Sequence, residues 1–312
     1  MKSLTPMQGT WVRNSKGKIG LIEDGSPRTL HAFSGKAGRH DGLAQLLLKD
    51  NTQCQEIDTV IHASRHDLLC DIIFRRTLKR AQLGYYTVGV MGIPCSTFSV
   101  ARIGSNGIEA PGPVRDRNNP TGLNHLTPLQ QTELDNANQL VERSIEIAHA
   151  MIKNGGSVLF ENPVDRGNKT TTDTNTKDRY ELRYKSHSPL WNHPSMIKAK
   201  QDLNLKEVSF PQCALGGEFQ KWTTLWYSED LADTLDDLHI CACQKGHKHK
   251  VARGKGTNKD WISAEAAAYP PGMNKAIARA IKQAIQKQRD RGTLFENKVR
   301  AWWEIDKNGK MR

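Results

Sequence analysis

The sequence has no long apolar run: nothing in its 312 residues approaches the roughly 18 to 20 that a membrane-crossing helix needs. Its opening stretch, "MKSLTPMQGTWVRNSKGKIG", lacks the apolar core of a secretory signal. The expected location is therefore intracellular: cytoplasmic, or nuclear in a eukaryote. Cysteine is scarce and scattered, with six residues at Cys54, Cys70, Cys95, Cys213, Cys241 and Cys243. That is no disulfide framework at this length, and free thiols or metal ligands are the expectation. Internal repeats are lacking too. What is plentiful is positive charge. Lys and Arg number 45 against 33 Asp and Glu, a net +12 with a pI near 9.4. A surplus of that size suggests a polyanionic partner, nucleic acid first, although charge can also serve solubility alone.

Along the chain, strand-like and helix-like segments alternate. "RTLHAF" (28–33) reads as a strand, and "SGKAGRHDGLAQLLLK" as a Gly-containing turn entering a helix. "EIDTVIH" (56–62) reads as the next strand. "DIIFRRTLKRAQLG" (71–84) has helical spacing at Ile72, Ile73, Leu78 and Leu83, stopped by Gly84. The apolar "YYTVGVMG" follows, then a loop rich in Gly and Pro over 103–126. Thr127, Pro128 and Gln130 form a helix-start signature: a cap, a proline suited to the first turn, and a capping-box partner. Leu134, Ala137, Val141, Ile145, Ala148 and Ile152 then repeat at three or four, which buries one stripe. "SVLFENP" (157–163) is the next strand, and "KEVSF" and "WTTLWYS" are two more. Residues 274–288 form a basic amphipathic helix. The expected fold is α/β, a Rossmann-like, mostly parallel sheet with helices on both faces.

In such sheets ligands bind beyond the carboxyl ends of the strands. Three segments fall there. In "AFSGKAG", Gly35 and Gly38 let a backbone approach a ligand closely, although a tight strand-to-helix turn would look the same. Asp58 is placed to grip ribose hydroxyls, and Asp67 to lie near an adenine; each has a solvated carboxylate as its plain alternative. In "GIPCSTFSVAR", Cys95 follows Pro94 at the lip of a strand. A lone cysteine is usually structural, but one at a strand end beside an acid suits nucleophilic catalysis. In "LFENP", Glu161 offers a carboxyl group for a ring nitrogen.

Taken in order, "FSGKAG", "GIPCSTFS" and "FENP" resemble the motifs of the cytosine-5 DNA methyltransferases, over roughly residues 28 to 285. The resemblance implies S-adenosylmethionine held by Phe33, Gly35, Gly38, Asp58, Asp67, Leu68 and Pro94. It adds Asn274, from "SAEAAAYPPGMNKAIARAI", which looks like the family's closing segment. It implies Cys95 as the nucleophile on carbon 6 of a flipped-out cytosine and Glu161 as the group on its ring nitrogen. Ser99, Arg102, Arg115 and Asn162 would face the substrate, with the loop from Val100 to Leu126, which also carries Arg117, closing over base and phosphates. DNA is the implied partner; RNA stays open, as do the oligomeric state and a non-catalytic nucleic-acid-binding role.

The sequence departs from the family at three points. Asn162 is followed by Pro163 where valine is usual. Lys221 and Thr223 stand where two arginines are expected, so another pyrimidine, on DNA or RNA, stays open as substrate. Little room remains for target recognition. The expected layout is a polar lead-in (1–27), a catalytic domain (28–228) with a polar surface excursion (164–195), a small basic Cys/His-rich recognition region (229–260), a closing helical segment (261–289) and a basic tail (290–312). In "CACQKGHKHK", Cys241, Cys243, His247 and His249 are all of a type that binds tetrahedral zinc; the same stretch also reads as a basic DNA-contact loop. Trp222, Trp226 and Trp261 are expected to pack this small region.

Overall fold

In a computed structural model, the described residues are 27–103, 111–167, 184–219, 221–238, 248–250 and 266–293, together with three terminal strands. Those strands are β1 (Thr10–Arg13), β2 (Ile19–Ile22) and β9 (Val299–Trp303). They form an antiparallel sheet in the order β1-β2-β9. The segments expected to be a loose lead-in and a tail thus hold strands that pair with each other. "TWVR", "IGLI" and "VRAWW" are short runs of β-branched, aliphatic and aromatic residues, which favour strands even inside polar surroundings.

The main sheet contains β3 (Arg28–Ala32), β4 (Gln53–Ile57), β5 (Val88–Met91), β6 (Ser157–Pro163), β7 (Lys206–Pro211) and β8 (Trp222–Tyr227), in the order β4-β3-β5-β6-β8-β7. β4, β3, β5 and β6 run parallel. β8 runs against its neighbour β6, and β7, antiparallel to β8, returns to the direction of the other four. The sheet is therefore mixed, with its parallel half holding all three motif loops. β4 lies earlier than "EIDTVIH" implied, ending at Ile57. Asp58 then turns the chain, its Oδ1 accepting the Val60 N–H at 2.8 Å.

Helices cover both faces. On one side α2 (Asp71–Gln82), α3 (Pro128–Lys153) and α4 (Pro194–Asp202) pack on Leu30, Ala32, Val158 and Phe160. On the other, α1 (Leu43–Lys49), α5 (Ala232–Leu235) and α6 (Pro271–Asp290) pack on Val88, Val90, Leu159 and Leu225. Side chains alternate along β6, so Val158 and Phe160 face α3 while Leu159 faces α6. Glu161 continues the α6-facing row. The capping box at Thr127 and Gln130 forms as the sequence implied, with Pro128 opening the helix. In α2 the buried stripe is Ile73, Thr77 and Ala81, while Ile72, about 100° round the helix from Ile73, is 75% exposed.

Two of the expected boundaries do not mark separate regions. The start of the 229–260 segment turns through α5 and buries Leu231, Leu235 and Leu238 in the core that α6 shares. The 164–195 segment is not simply a surface excursion: His187, Ser188, Leu190, Trp191 and His193 are buried. Trp191 packs against Trp226 at 4.5 Å between ring centroids, which puts Trp226 in the main core. Trp261 lies outside the described residues, and no helix among those described is long and apolar enough to cross a membrane.

His31 and His193 are buried, and neither ring nitrogen of either has a hydrogen-bond partner among the described residues. Burial lowers each from 6.5 to about 4; for His193 the nearby Arg115 adds to this and Glu142 opposes it. Because the folded pKa lies below the unfolded one, the stabilisation is complete above pH ~6.5 and is lost as pH falls towards ~4. Each histidine should then cost about 3 kcal/mol across that window. Urea unfolding between pH 7.5 and 4 should show a shallower pH slope in His31→Phe and in His193→Phe than in the parent. An unchanged slope in both would contradict the assignment.

Candidate active site

Three chain segments leave the parallel half of the sheet at its carboxyl edge. After β3, the backbone kinks at Phe33, whose φ of 60° is in the left-handed region that side chains rarely adopt. Gly35 and Gly38 follow with φ of 75° and 77°, and among the described residues, chain neighbours aside, nothing lies within 4 Å of where a side chain would begin at either one. The loop is pinned by Asp58, whose Oδ2 accepts the Gly35 N–H at 2.8 Å. Asp67 Oδ1 accepts the Leu69 N–H at 2.8 Å, while Leu68 is buried in the core and turned away from solvent.

After β5 comes Gly92-Ile93-Pro94-Cys95. Asn162, on the neighbouring strand β6, is buried and donates from Nδ2 to the Ile93 carbonyl at 2.7 Å. One residue earlier, Glu161 ends the α6-facing row, 5% exposed. The segment carrying the cysteine is thus tied to the strand carrying the acid. A β-carbon at Gly92 would lie 2.7 Å from Tyr269 Oη, 3.4 Å from the Phe33 carbonyl oxygen and 3.7 Å from Glu161 Oε2. Only glycine leaves room for these groups to meet. Tyr269 Oη donates to Glu161 Oε2 at 3.1 Å, and Lys221 Nζ lies 3.5 Å from Oε1.

Cys95 is half-buried between exposed Pro94 and Ser96, with its carbonyl accepting the Phe98 N–H at 2.9 Å. Burial raises the thiol's pKa, the Lys221 ammonium pulls it back down, and Glu161 pushes it up again. The segment carrying the thiol approaches the acid at Gly92, and the acid faces the Lys221 amine at 3.5 Å.

The remaining expected residues divide by environment. Asn274 is buried and donates from Nδ2 to the Asp41 carbonyl at 3.0 Å, fastening α6 to the end of the Gly-containing loop. Ser99 caps a short turn, accepting from the Ala101 N–H. Arg102 and Arg115 are 5% and 3% exposed. Arg102 pairs with Glu133 at 2.5 Å. Arg115 covers the Phe98 ring at 3.9 Å and donates to Thr97 Oγ1, the Pro120 carbonyl and Asn138 Oδ1. Burial, helped by Arg102, lowers Arg115 to about 10. In this conformation both arginines brace the cysteine loop from within. Arg117 pairs with Asp165 at 2.5 Å. Thr223 is wholly buried, accepting from Gln212 Nε2 at 2.8 Å, so of the two departures from the family pattern only Lys221 meets the acid. Cys241, Cys243 and His247 lie outside the described residues; His249 is described, and no metal-binding cluster occurs among the described residues.

Tyr269 and His31 were not singled out by sequence. The signal for Tyr269 was an aromatic residue immediately before Pro-Pro at a helix start. For His31 it was a titratable residue inside a five-residue strand that is buried throughout.

Because Lys221 favours the thiolate, Lys221→Met should slow alkylation of Cys95 by iodoacetamide at pH 8.5, and Glu161→Gln should speed it. Mass spectrometry of the Cys95 peptide reads both rates. Equal rates in all three proteins would separate these side chains from the thiol.

A scan against protein-family models and a search of curated proteins both return no match for this chain.

Proposed function

We propose that the protein is a Rossmann-like methyltransferase that transfers a methyl group from S-adenosylmethionine to carbon 5 of a cytosine in DNA. The observation that carries this reading is the Asn162–Ile93 hydrogen bond, which ties the Cys95 loop to the strand that carries Glu161. A nucleophile and an acid brought together at one sheet rim suit covalent attack on a ring held by its nitrogen.

The residues around the Gly-containing loop fit the cofactor. Space is open above Gly35 and Gly38, Asp58 is a half-buried carboxyl group bonded to the Gly35 N–H, and Asp67 is half-buried too. Phe33, Gly35, Gly38, Asp58 and Asp67 would hold it. Leu68, Pro94 and Asn274 would shape the pocket from behind. When bound, the cofactor supplies an electrophilic methyl group.

The chain's own residues account for the rest. Cys95 gives its proton to solvent, the thiolate being favoured by the Lys221 ammonium, and adds through sulfur to carbon 6, which opens the 5,6 double bond and makes carbon 5 nucleophilic. Glu161 holds the ring at N3 and the exocyclic amine. After methylation, solvent water acting as base takes the carbon-5 proton, the freed electron pair restores the double bond, and Cys95 leaves as thiolate. A stacked base cannot reach Cys95, so the target must be flipped out, at a cost of about a few kcal/mol. The net charge of +12 suits the phosphate backbone this requires.

The Lys221–Glu161 pair supports a second reading. A carboxyl group already facing an ammonium accepts a hydrogen bond more readily than it donates one. A pyrimidine that carries a proton on N3 and a carbonyl at position 4, as uracil does, would satisfy Glu161 and Lys221 together, on DNA or RNA. The retention of Cys95 beside Glu161 speaks against a purely binding role.

With S-adenosylmethionine present, an oligonucleotide carrying 5-fluorocytosine should form a denaturant-stable adduct with the protein, and Cys95→Ser should abolish it. An adduct with 5-fluorouracil alone would favour the second reading. No adduct with either, on DNA or RNA, would refute covalent catalysis at Cys95.

A further inference from the structure

Tyr269 joins two parts of the site that are distant in sequence. Its hydroxyl donates to Glu161 Oε2 at 3.1 Å. Its ring stacks on His31, with centroids 6.2 Å apart and planes inclined by 30°. Its carbonyl accepts Arg39 Nη2 at 3.2 Å, and the same guanidinium pairs with Asp41 at 2.9 Å. Asn274 Nδ2, bonded to the Asp41 carbonyl at 3.0 Å, lies 3.5 Å from the Tyr269 carbonyl. The tyrosine's backbone is therefore held against the far end of the Gly-containing loop while its hydroxyl reaches the buried acid. Gly92 leaves the space that the hydroxyl occupies.

We propose that Tyr269 is a positioning residue for Glu161: it fixes one carboxyl oxygen and leaves the other directed at Lys221 and the substrate ring. The proposal rests on the methyltransferase reading for its catalytic meaning, but the hydrogen bond stands apart from it. Geometry supports the assignment in two ways. Among the described residues Glu161 Oε1 has no hydrogen bond, and Lys221 Nζ lies 3.5 Å from it, so the two oxygens have different tasks. The phenol is also kept as a donor, because burial, then the Glu161 charge and hydrogen bond, and then Cys95 hold its pKa well above the ordinary tyrosine value. Its titratable and charged neighbours are Glu161 on β6 with Lys221 paired to it, Cys95 after β5, Arg39 against its carbonyl and His31 on β3, and His31 is neutral around pH 7.

The test uses full-length protein with tyrosines labelled with carbon-13 at the ring carbon bearing the hydroxyl; Tyr269→Phe assigns the resonance. In the parent, the Tyr269 signal should titrate well above the protein's exposed tyrosines. In Glu161→Gln it should titrate at lower pH, because a charge that opposed ionisation has gone. No change in Glu161→Gln would overturn the hydrogen bond and the proposal with it, whatever the protein catalyses. The kinetic arm uses the pyrimidine that the parent protein methylates. Tyr269→Phe keeps the ring on His31 and removes only the hydroxyl, so kcat should fall about tenfold to a hundredfold with KM for the nucleic acid nearly unchanged. A matching rise in KM with kcat intact would overturn the positioning role. A parent protein that methylates nothing would refute the methyltransferase reading, while the titration still decides the contact.

Discussion

A carboxyl group buried at the end of a central strand must be given partners, and the structure around Glu161 follows from that requirement. At 5% exposure it cannot rely on water. Its partners come from two distant parts of the sequence: Tyr269 from the turn before α6 and Lys221 from the residue before β8. Gly92 gives them room, and the adjacent Asn162 holds the cysteine-bearing loop from the same strand. Burying this acid therefore constrains four chain segments at once.

The same constraint explains why so many polar groups are spent beneath the cysteine loop. Arg115 packs on Phe98 and bonds to Thr97, while His187 bonds through Nε2 to the Phe98 carbonyl at 2.8 Å. The Arg166 N–H donates to the other ring nitrogen, Nδ1, which assigns the proton to Nε2. Ile93 and Phe98 anchor the loop in the core on either side of Cys95, and these bonds fix the polar backbone between them. Arginines that seemed destined for phosphates from sequence alone act here as internal braces.

Much of the fold was legible. The turn chemistry at Thr127, Pro128 and Gln130 and the repeat from Leu134 to Ile152 are local signals, and the structure follows them. "SVLFENP" matches its strand residue for residue. The reversed direction of β8 was not legible, because strand direction depends on pairing partners that lie far apart in the chain. The terminal sheet was missed because its three strands are short and set in polar surroundings. At the site, Cys95, Glu161 and the glycines carry local signatures. Tyr269 and Lys221 acquire meaning only through contacts spanning 108 and 60 residues respectively, the first with a hydrogen bond and the second with an ion pair. The burial of Arg102, Arg115 and Thr223 depends on tertiary packing in the same way.

The central claim is that Cys95 and Glu161 act together on a pyrimidine ring beside a methyl donor. The most direct measurement is transfer of isotope from methyl-labelled S-adenosylmethionine to DNA and RNA, followed by digestion and identification of the labelled nucleoside. The account predicts label in 5-methyldeoxycytidine, absent with Cys95→Ser. Label on an exocyclic amine, or label that survives loss of the thiol, would contradict it.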